Sequence, residues 1–377
     1  MSVILLIIGL ILFIGLVVVH EFGHFIVARR NGVEVEEFGI GFPPRAWSRK
    51  VGKGDKRFDF SLNWLPIGGF VKLKGEHDSD TAPGSFGAAS FGAKTKIMLA
   101  GVGMNLLAAF VLLTILAWAG MPQLLDKQFT VASDSKVSKS EVLVGYVEKD
   151  SPAQQAGLQV RDRLTAIGTP GHLQQINNAK QLPKLTKDYA GQKIALQYAR
   201  DGRSRTITIQ LRSASTVAAS QKTSNPKGYL GISPTEYSLT RSTWSAPIVA
   251  IGLIKQFTVA TFQGLGTAVS ALFHGNTAKA SEQVSGPVGI FVLLKDGSLL
   301  GYQFVLLIIA IISLTLALMN VLPIPALDGG RLFMMVVARA LKKPLSEEIE
   351  ERIVGFSFVL LLLLVGLITV VDVRRFF

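Results

Sequence analysis

The amino-acid sequence predicts an α-helical membrane core that carries one compact module outside the bilayer. Three observations point there. Of the 377 residues, 49% are hydrophobic and 17% charged, too apolar for an ordinary soluble chain and too charged for spans alone. Four long apolar runs, near 3–19, 97–118, 302–322 and 353–371, approach or reach the length of a bilayer helix. Between the second and third lies a polar stretch, 121–244, with strand-like alternation and turn residues.

The run from Val3 to Val19 has no Lys or Arg before it. A secretory signal would carry a positive leader and a small-residue cleavage site, so a retained first span over about 2–25 is expected. Arg29 and Arg30 follow it. The positive-inside rule then places the N-terminus outside and the next loop in the cytoplasm. Within 34–75, Arg57–Leu62 and Gly69–Lys74 alternate around Trp64-Leu65-Pro66-Ile67-Gly68, which predicts a β-hairpin or small sheet. The second span, about 97–118, returns outward, with Gly101, Gly103 and Ala108 as a small-residue packing face. Residues 1–120 thus form the first part of the membrane core.

Residues 121–213 read as the compact outer domain, with strands at Val142–Val147 and Arg205–Leu211 and a capped short helix over Ser151–Gly157. Residues 214–245 read as a linker, rich in Ser, Ala, Thr and Lys at its start. Residues 246–273 are apolar but contain Lys255, Gln256 and Gln263. Residues 246–300 are therefore expected as amphipathic or re-entrant helices on the outer surface. The second part of the core, 301–377, holds spans at about 302–322 and 353–371.

The net charge of +13 fits basic loops meeting anionic lipid head groups. No Lys/Arg run resembles a nucleic-acid arm, so no nucleic-acid partner is expected. Cysteine is absent, which excludes disulfides, thiolate ligands and a cysteine nucleophile.

The chemistry lies in His20-Glu21-Phe22-Gly23-His24. Two histidines four apart share a helix face and can hold one Zn²⁺, and Glu21 beside them can serve as general base. Ionisable groups at the end of an apolar span are costly and usually functional; the plainer alternative is a helix-end cluster reaching the interface. Catalytic zinc takes three protein ligands and keeps one open position. His77, His172 and His274 lie in polar or surface contexts and make poor third ligands. Asp328 follows a long apolar helix, in Asn320-Val321-Leu322-Pro323-Ile324-Pro325-Ala326-Leu327-Asp328-Gly329-Gly330. It is either that ligand or a cap for the next helix. It reaches the histidines' side of the membrane only if 246–273 does not cross.

Together these motifs resemble the site-2 protease family of intramembrane zinc metalloproteases, over nearly the whole chain. HEFGH matches the first zinc motif of the family and NVLPIPALDGG its second. Gly101-Val102-Gly103-Met104-Asn105 is similar to the G-x-x-x-N element of the second span. Trp64 to Lys72 is similar to the membrane-associated β-hairpin of the bacterial branch, and Ser285-Gly286-Pro287-Val288-Gly289 to the element before the third span. The outer domain resembles a PDZ domain, with Val144-Gly145-Tyr146-Val147 at the carboxylate-binding loop. Arg161-Asp162 and Ile167-Gly168-Thr169 stand where that pattern has Gly-Asp and Ile-Asn-Gly.

The resemblance implies four transmembrane helices, a membrane-associated β-hairpin and one extracytoplasmic PDZ-like α+β domain. It implies one catalytic Zn²⁺ on His20, His24 and Asp328, with Glu21 as base and Asn320 assisting catalysis. Asn105, Gly68, Gly69, Phe70, Pro323 and Pro325 would contact substrate. The implied substrates are single-pass membrane proteins, such as anti-sigma factors or signal-peptide remnants, cleaved in the bacterial inner membrane toward its cytoplasmic side. The PDZ-like domain would take a peptide or act as a size filter. The rival is a non-catalytic PDZ-bearing scaffold or a metal-binding transporter. Glu21 and the small number of spans argue against it.

Overall fold

The structure, a computed structural model, describes residues 2–54, 57–200, 202–221, 223, 226–342 and 346–377. It divides into two compact units. One holds residues 1–119, 128–131 and 243–377; the other holds 120–127 and 132–242.

The first unit is built on long helices. Helix α1 is Ser2–Arg30; a paired β1 (Val35–Val51) and β2 (Phe58–Leu73) follow, then α2 (Phe91–Ala119). On α2 the buried positions Ile97, Gly101, Asn105, Ala109 and Leu113 recur every fourth residue, so one stripe faces the neighbouring helices.

The two β segments fold on themselves. Glu37–Ile40 pairs on one side with Asp59–Leu62 and on the other with Gly69–Lys72, while Trp47–Val51 pairs with Phe58–Leu62. The two alternating stretches expected to form a hairpin with each other are therefore separated by Glu37–Ile40. That strand escapes a pattern search because Gly39-Ile40-Gly41-Phe42-Pro43-Pro44 has the composition of a loop. Aromatic rings fasten the sheet to α1, with Phe25 lying 5.5 Å from Phe38 and 4.9 Å from Phe58 between centroids.

The second unit contains β3 (Met121–Pro122), β4 (Lys136–Val147), α3 (Pro152–Gln155), β5 (Arg163–Thr169), β6 (His172–Gln175), α4 (Leu182–Asp188), β7 (Lys193–Arg200), β8 (Arg203–Gln210), α5 (Ala214–Ser220) and β9 (Ile232–Arg241). Its sheet runs β3-β9-β4-β5-β7-β8, with β6 added on β5. Val142, Val144, Leu164, Ile167, Ile194 and Leu196 form the core beneath it. The expected linker, 214–245, is therefore corrected: it contains α5 and β9, and β9 pairs with β4 along its whole length. Its Ser/Thr-rich sequence hides a strand whose partner lies some ninety residues earlier. Positions 222 and 224–225 of that stretch lie outside the described residues.

The chain then returns to the first unit through α6 (Ala246–Phe273), α7 (Thr277–Glu282), α8 (Pro287–Leu300), α9 (Tyr302–Val321), α10 (Asp328–Ala340) and α11 (Glu347–Phe376). Among the described residues five helices, α1, α2, α6, α9 and α11, are long and apolar enough to cross a membrane. Four are expected from the sequence; the fifth, α6, runs unbroken past Lys255 and Gln256. The glycines of Ser285–Gly289 have a local cause. Asp372 of α11 is 1% exposed and accepts the Gly286 and Gly289 N–H groups, both at 2.8 Å. A Cβ at either glycine would lie about 3 Å from that oxygen.

Candidate active site

His20 and His24 lie one turn apart in the C-terminal half of α1 and are 7% and 4% exposed. Asp328 comes from the far end of the chain. After α9 ends, Ile324 N–H bonds Leu322 C=O and Leu327 N–H bonds Ile324 C=O, each at 2.8 Å, which folds Leu322–Leu327 into tight turns. Gly329 and Gly330 pack so closely that a Cβ would strike the Val321 and Ile324 carbonyls. The fold places Asp328 at the first position of α10, after an N-cap, Leu327, that offers no side-chain cap. Asp328 turns to the histidines.

The three donor atoms form a near-equilateral triangle. Asp328 Oδ2 lies 3.1 Å from His20 Nε2 and 3.2 Å from His24 Nε2, and the two Nε2 atoms are 3.2 Å apart. Ligands at ~2.0–2.1 Å from a tetrahedral ion stand about 3.3–3.4 Å apart, so the triangle matches one face of such a polyhedron. The hydrogen inventory agrees. His24 Nδ1 lies 2.7 Å from the Ile97 carbonyl, which can only accept, so Nδ1 carries the proton and Nε2 of the neutral ring presents a lone pair. Asp328 Oδ2 is buried without a hydrogen-bond partner. Lone pairs converging in a buried place call for a cation, and two imidazoles with one carboxylate suit zinc.

Glu21 lies between the two histidines in sequence and belongs to the same helix. Its Oε2 accepts the Val71 N–H at 3.1 Å, and Gly69 packs beside its Cγ. Val71 and Gly69 belong to the second half of β2, the segment Gly69–Lys72 that pairs with Glu37–Ile40. Gly68 and Phe70 flank them, and Phe70 stacks on Phe42 at 6.4 Å. The expected base and the expected peptide-binding strand are thus adjacent.

Other expected site residues fall less centrally. Asn320 closes α9, with its Nδ2 bonded to Leu316 C=O at 3.0 Å. Pro323 is exposed and Pro325 half-buried, in the turn before Asp328. Asn105 is 1% exposed and lies against His20, not along an open groove. His77 is drawn to the start of α11, 3.4 Å from Glu347, and His172 and His274 lie on β6 and beyond α6. Two backbone groups had no sequence signal at all: the Ile97 carbonyl and the Val71 N–H.

One expected site is corrected. Val144, Gly145, Tyr146 and Val147 do not form a loop. They lie in β4, with Val144, Tyr146 and Val147 paired to Pro234, Ser233 and Ile232 of β9. A cleft of about 230 Å³ opens elsewhere, between Leu182, Pro183 and Thr186 of α4 and the segment Tyr229–Ile232 that leads into β9.

Gly101 explains how α2 approaches the histidines. A Cβ there would lie 2.5 Å from His20 Nε2 and from His24 Nε2. Gly101→Ala is expected to push both rings off position and weaken zinc binding by on the order of 10–100-fold, the range seen when support for a metal ligand is disturbed. Zinc retained after dialysis against a graded chelator measures it, and wild-type retention would show that the rings can yield.

The sequence matches the profile of Peptidase family M50 across residues 8–364. A protein of Clostridium acetobutylicum is 30% identical over 375 residues, covering 99% of this chain and 98% of its own. The zinc metalloprotease RasP of Shouchella clausii is 25% identical over 97% of this chain and 98% of its own. The regulator of sigma-E protease RseP of Salmonella typhimurium is 25% identical over 96% of each.

Proposed function

The chain belongs to Peptidase family M50, the site-2 protease family, and we propose that it cleaves single-pass membrane proteins within or next to their spanning segments. It is a zinc metalloendopeptidase, and its apolar helices and bacterial relatives make it a multi-pass bacterial membrane protein. His20, His24 and Asp328 hold the metal in this reading. The observation that carries it is the triangle of donor atoms set on a membrane-length helix, with Glu21 and a β edge beside it.

A bound zinc ion supplies Lewis acidity, making water acidic enough to ionise near pH ~7. The chain's own groups do the rest. A substrate segment unwinds and pairs in extended form along the Gly69–Leu73 edge of β2, which lines up its backbone beside Glu21. The Glu21 carboxylate takes a proton from the attacking water as the oxygen bonds the peptide carbonyl carbon. It then delivers that proton to the departing amide nitrogen as the C–N bond breaks. Asn320, at the end of α9, would hold the substrate near the turn formed by Pro323 and Pro325.

The orientation follows from charge and chain path. Arg29 and Arg30 put the inner end of α1 at the cytoplasmic face, and the β-rich unit after α2 then lies outside. The path of α6 supports this. Glu350, near the start of α11, meets Arg331 close to Asp328, at 3.6 Å. At the other end of α11, Asp372 holds the start of α8, and Arg375 bonds Ser281 of α7 at 3.3 Å. The chain leaving α6 is therefore at the end of α11 remote from the metal ligands, which is also the side where α2 ends. On this reading α6 begins and finishes on one side of the membrane and does not cross, despite its length. The β-rich outer unit would admit trimmed substrates or take an extended peptide in the α4/β9 cleft.

Reconstitution in liposomes with a tagged single-pass substrate tests the proposal. Mass spectrometry of the products should locate the cut inside the span or within a few residues of it. Cleavage should stop with a zinc chelator and return with zinc. Cuts confined to soluble segments would overturn it.

A further inference from the structure

Asn105 presents a contradiction that its own surroundings resolve. It is 1% exposed. Its Nδ2 lies 3.2 Å from His20 Nδ1, while its Oδ1 is buried with no hydrogen-bond partner. A buried amide oxygen without a donor is costly. If Nδ2 donated to His20, the proton of the neutral ring would sit on Nε2. That nitrogen would then aim an N–H, not a lone pair, at the point where His24 Nε2 and Asp328 Oδ2 converge.

Amide nitrogen and oxygen differ by a half-turn about one bond, and their assignment follows the hydrogen-bond network. Turning the amide over gives the oxygen a donor and restores the lone pair on His20 Nε2, with the Nδ2 group taking the place the oxygen leaves. Oδ1 then accepts from His20 Nδ1–H, and His20 Nε2 is left as a lone pair. The backbone of Asn105 is independently pinned, because its carbonyl accepts from Ser313 Oγ at 2.8 Å.

We infer that Asn105 is a positioning residue for the metal: its Oδ1 accepts the His20 Nδ1 proton, fixing the ring and the tautomer that bind zinc. This rests on the metal site proposed above and deepens it. It also gives α2 a single purpose along one stripe. Ile97 C=O accepts from His24, Gly101 leaves room for both rings, and Asn105 accepts from His20, at successive intervals of four residues. Such outer partners orient metal-bound histidines and raise their basicity, and losing one commonly costs 10–100-fold in metal affinity. The substrate-contacting role expected for Asn105 is replaced by one behind the histidine.

Zinc affinity, measured by chelator competition on the purified full-length protein in detergent, tests this apart from activity. Asn105→Leu keeps the approximate size but offers no acceptor, and should weaken zinc about 10–100-fold. Asn105→Asp can only accept when ionised, and should hold zinc within about threefold of wild type or more tightly, on the same grounds. The Asp variant decides alone if the Leu variant does not fold. Equal loss of zinc in both would mean that His20 needs a donor, and would overturn the inference. So would unchanged zinc affinity in Asn105→Leu with a raised KM, the mark of a substrate contact. A wild-type chain that holds one zinc and spares transmembrane substrates would sink the proposed cleavage and leave this role intact. A wild-type chain without zinc would sink both.

Discussion

Glu21→Gln is expected to lower kcat by about 10²–10⁴-fold, the usual contribution of a positioned general base, with zinc content unchanged. Three features make the variant informative. Glu21 is not one of the three converging donors, so the metal site keeps its ligands. Glutamine has nearly the same shape. It also retains an oxygen that can accept the Val71 N–H now bonded to Glu21 Oε2 at 3.1 Å, so the β2 edge stays in place. What disappears is the capacity to carry a proton from water to the leaving nitrogen. The measurement is single-turnover cleavage of a spanning substrate alongside elemental analysis for zinc. Cleavage at the wild-type rate would remove Glu21 from the mechanism. Loss of zinc together with activity would instead make it a ligand.

The parts of this site that could be read from the sequence are those set by local pattern. HEFGH states its own geometry, because a spacing of four places two imidazoles on one helix face. The Pro-x-Pro and Gly-Gly of residues 323–330 announce a sharp turn around Asp328 before any packing is known. Asn105 was visible as four residues past Gly101, though its partner was not. The parts that could not be read depend on choices between distant segments. Glu37–Ile40 inserts between two strands that look like natural partners, and β9 hides in a Ser/Thr-rich stretch because its partner β4 is far away in sequence. The misplaced carboxylate loop has the same origin. Val144–Val147 has strand-forming residues next to a glycine, and only the pairing with β9 reveals that it is interior to the sheet. Backbone groups such as Ile97 C=O carry no sequence signal, since every residue has one.

Asp328→Ala should abolish stable zinc binding, and with it all peptidase activity. Apparent zinc binding energies of ~10–16 kcal/mol are shared among a few protein ligands, so removing one weakens binding by on the order of 10²–10³-fold or more. The structure adds a reason to expect the upper end. His20 and His24 alone leave the metal with two ligands from one helix, and the third comes from a turn some three hundred residues later, closed by Gly329 and Gly330. Asp328 is thus the bond by which a metal would hold the start of α10 against α1. Its loss should also lower thermal stability in the presence of zinc, while the metal-free proteins differ less, because any ligand that binds only the folded state stabilises it. Melting curves with and without chelator distinguish these cases. A zinc-dependent gain in Tm that survives in Asp328→Ala would place the third ligand elsewhere. The gain should persist in Glu21→Gln, whose three donors are intact. Comparing the two variants separates holding the metal from using it, since both should lose most or all activity and only one should still be stabilised by zinc.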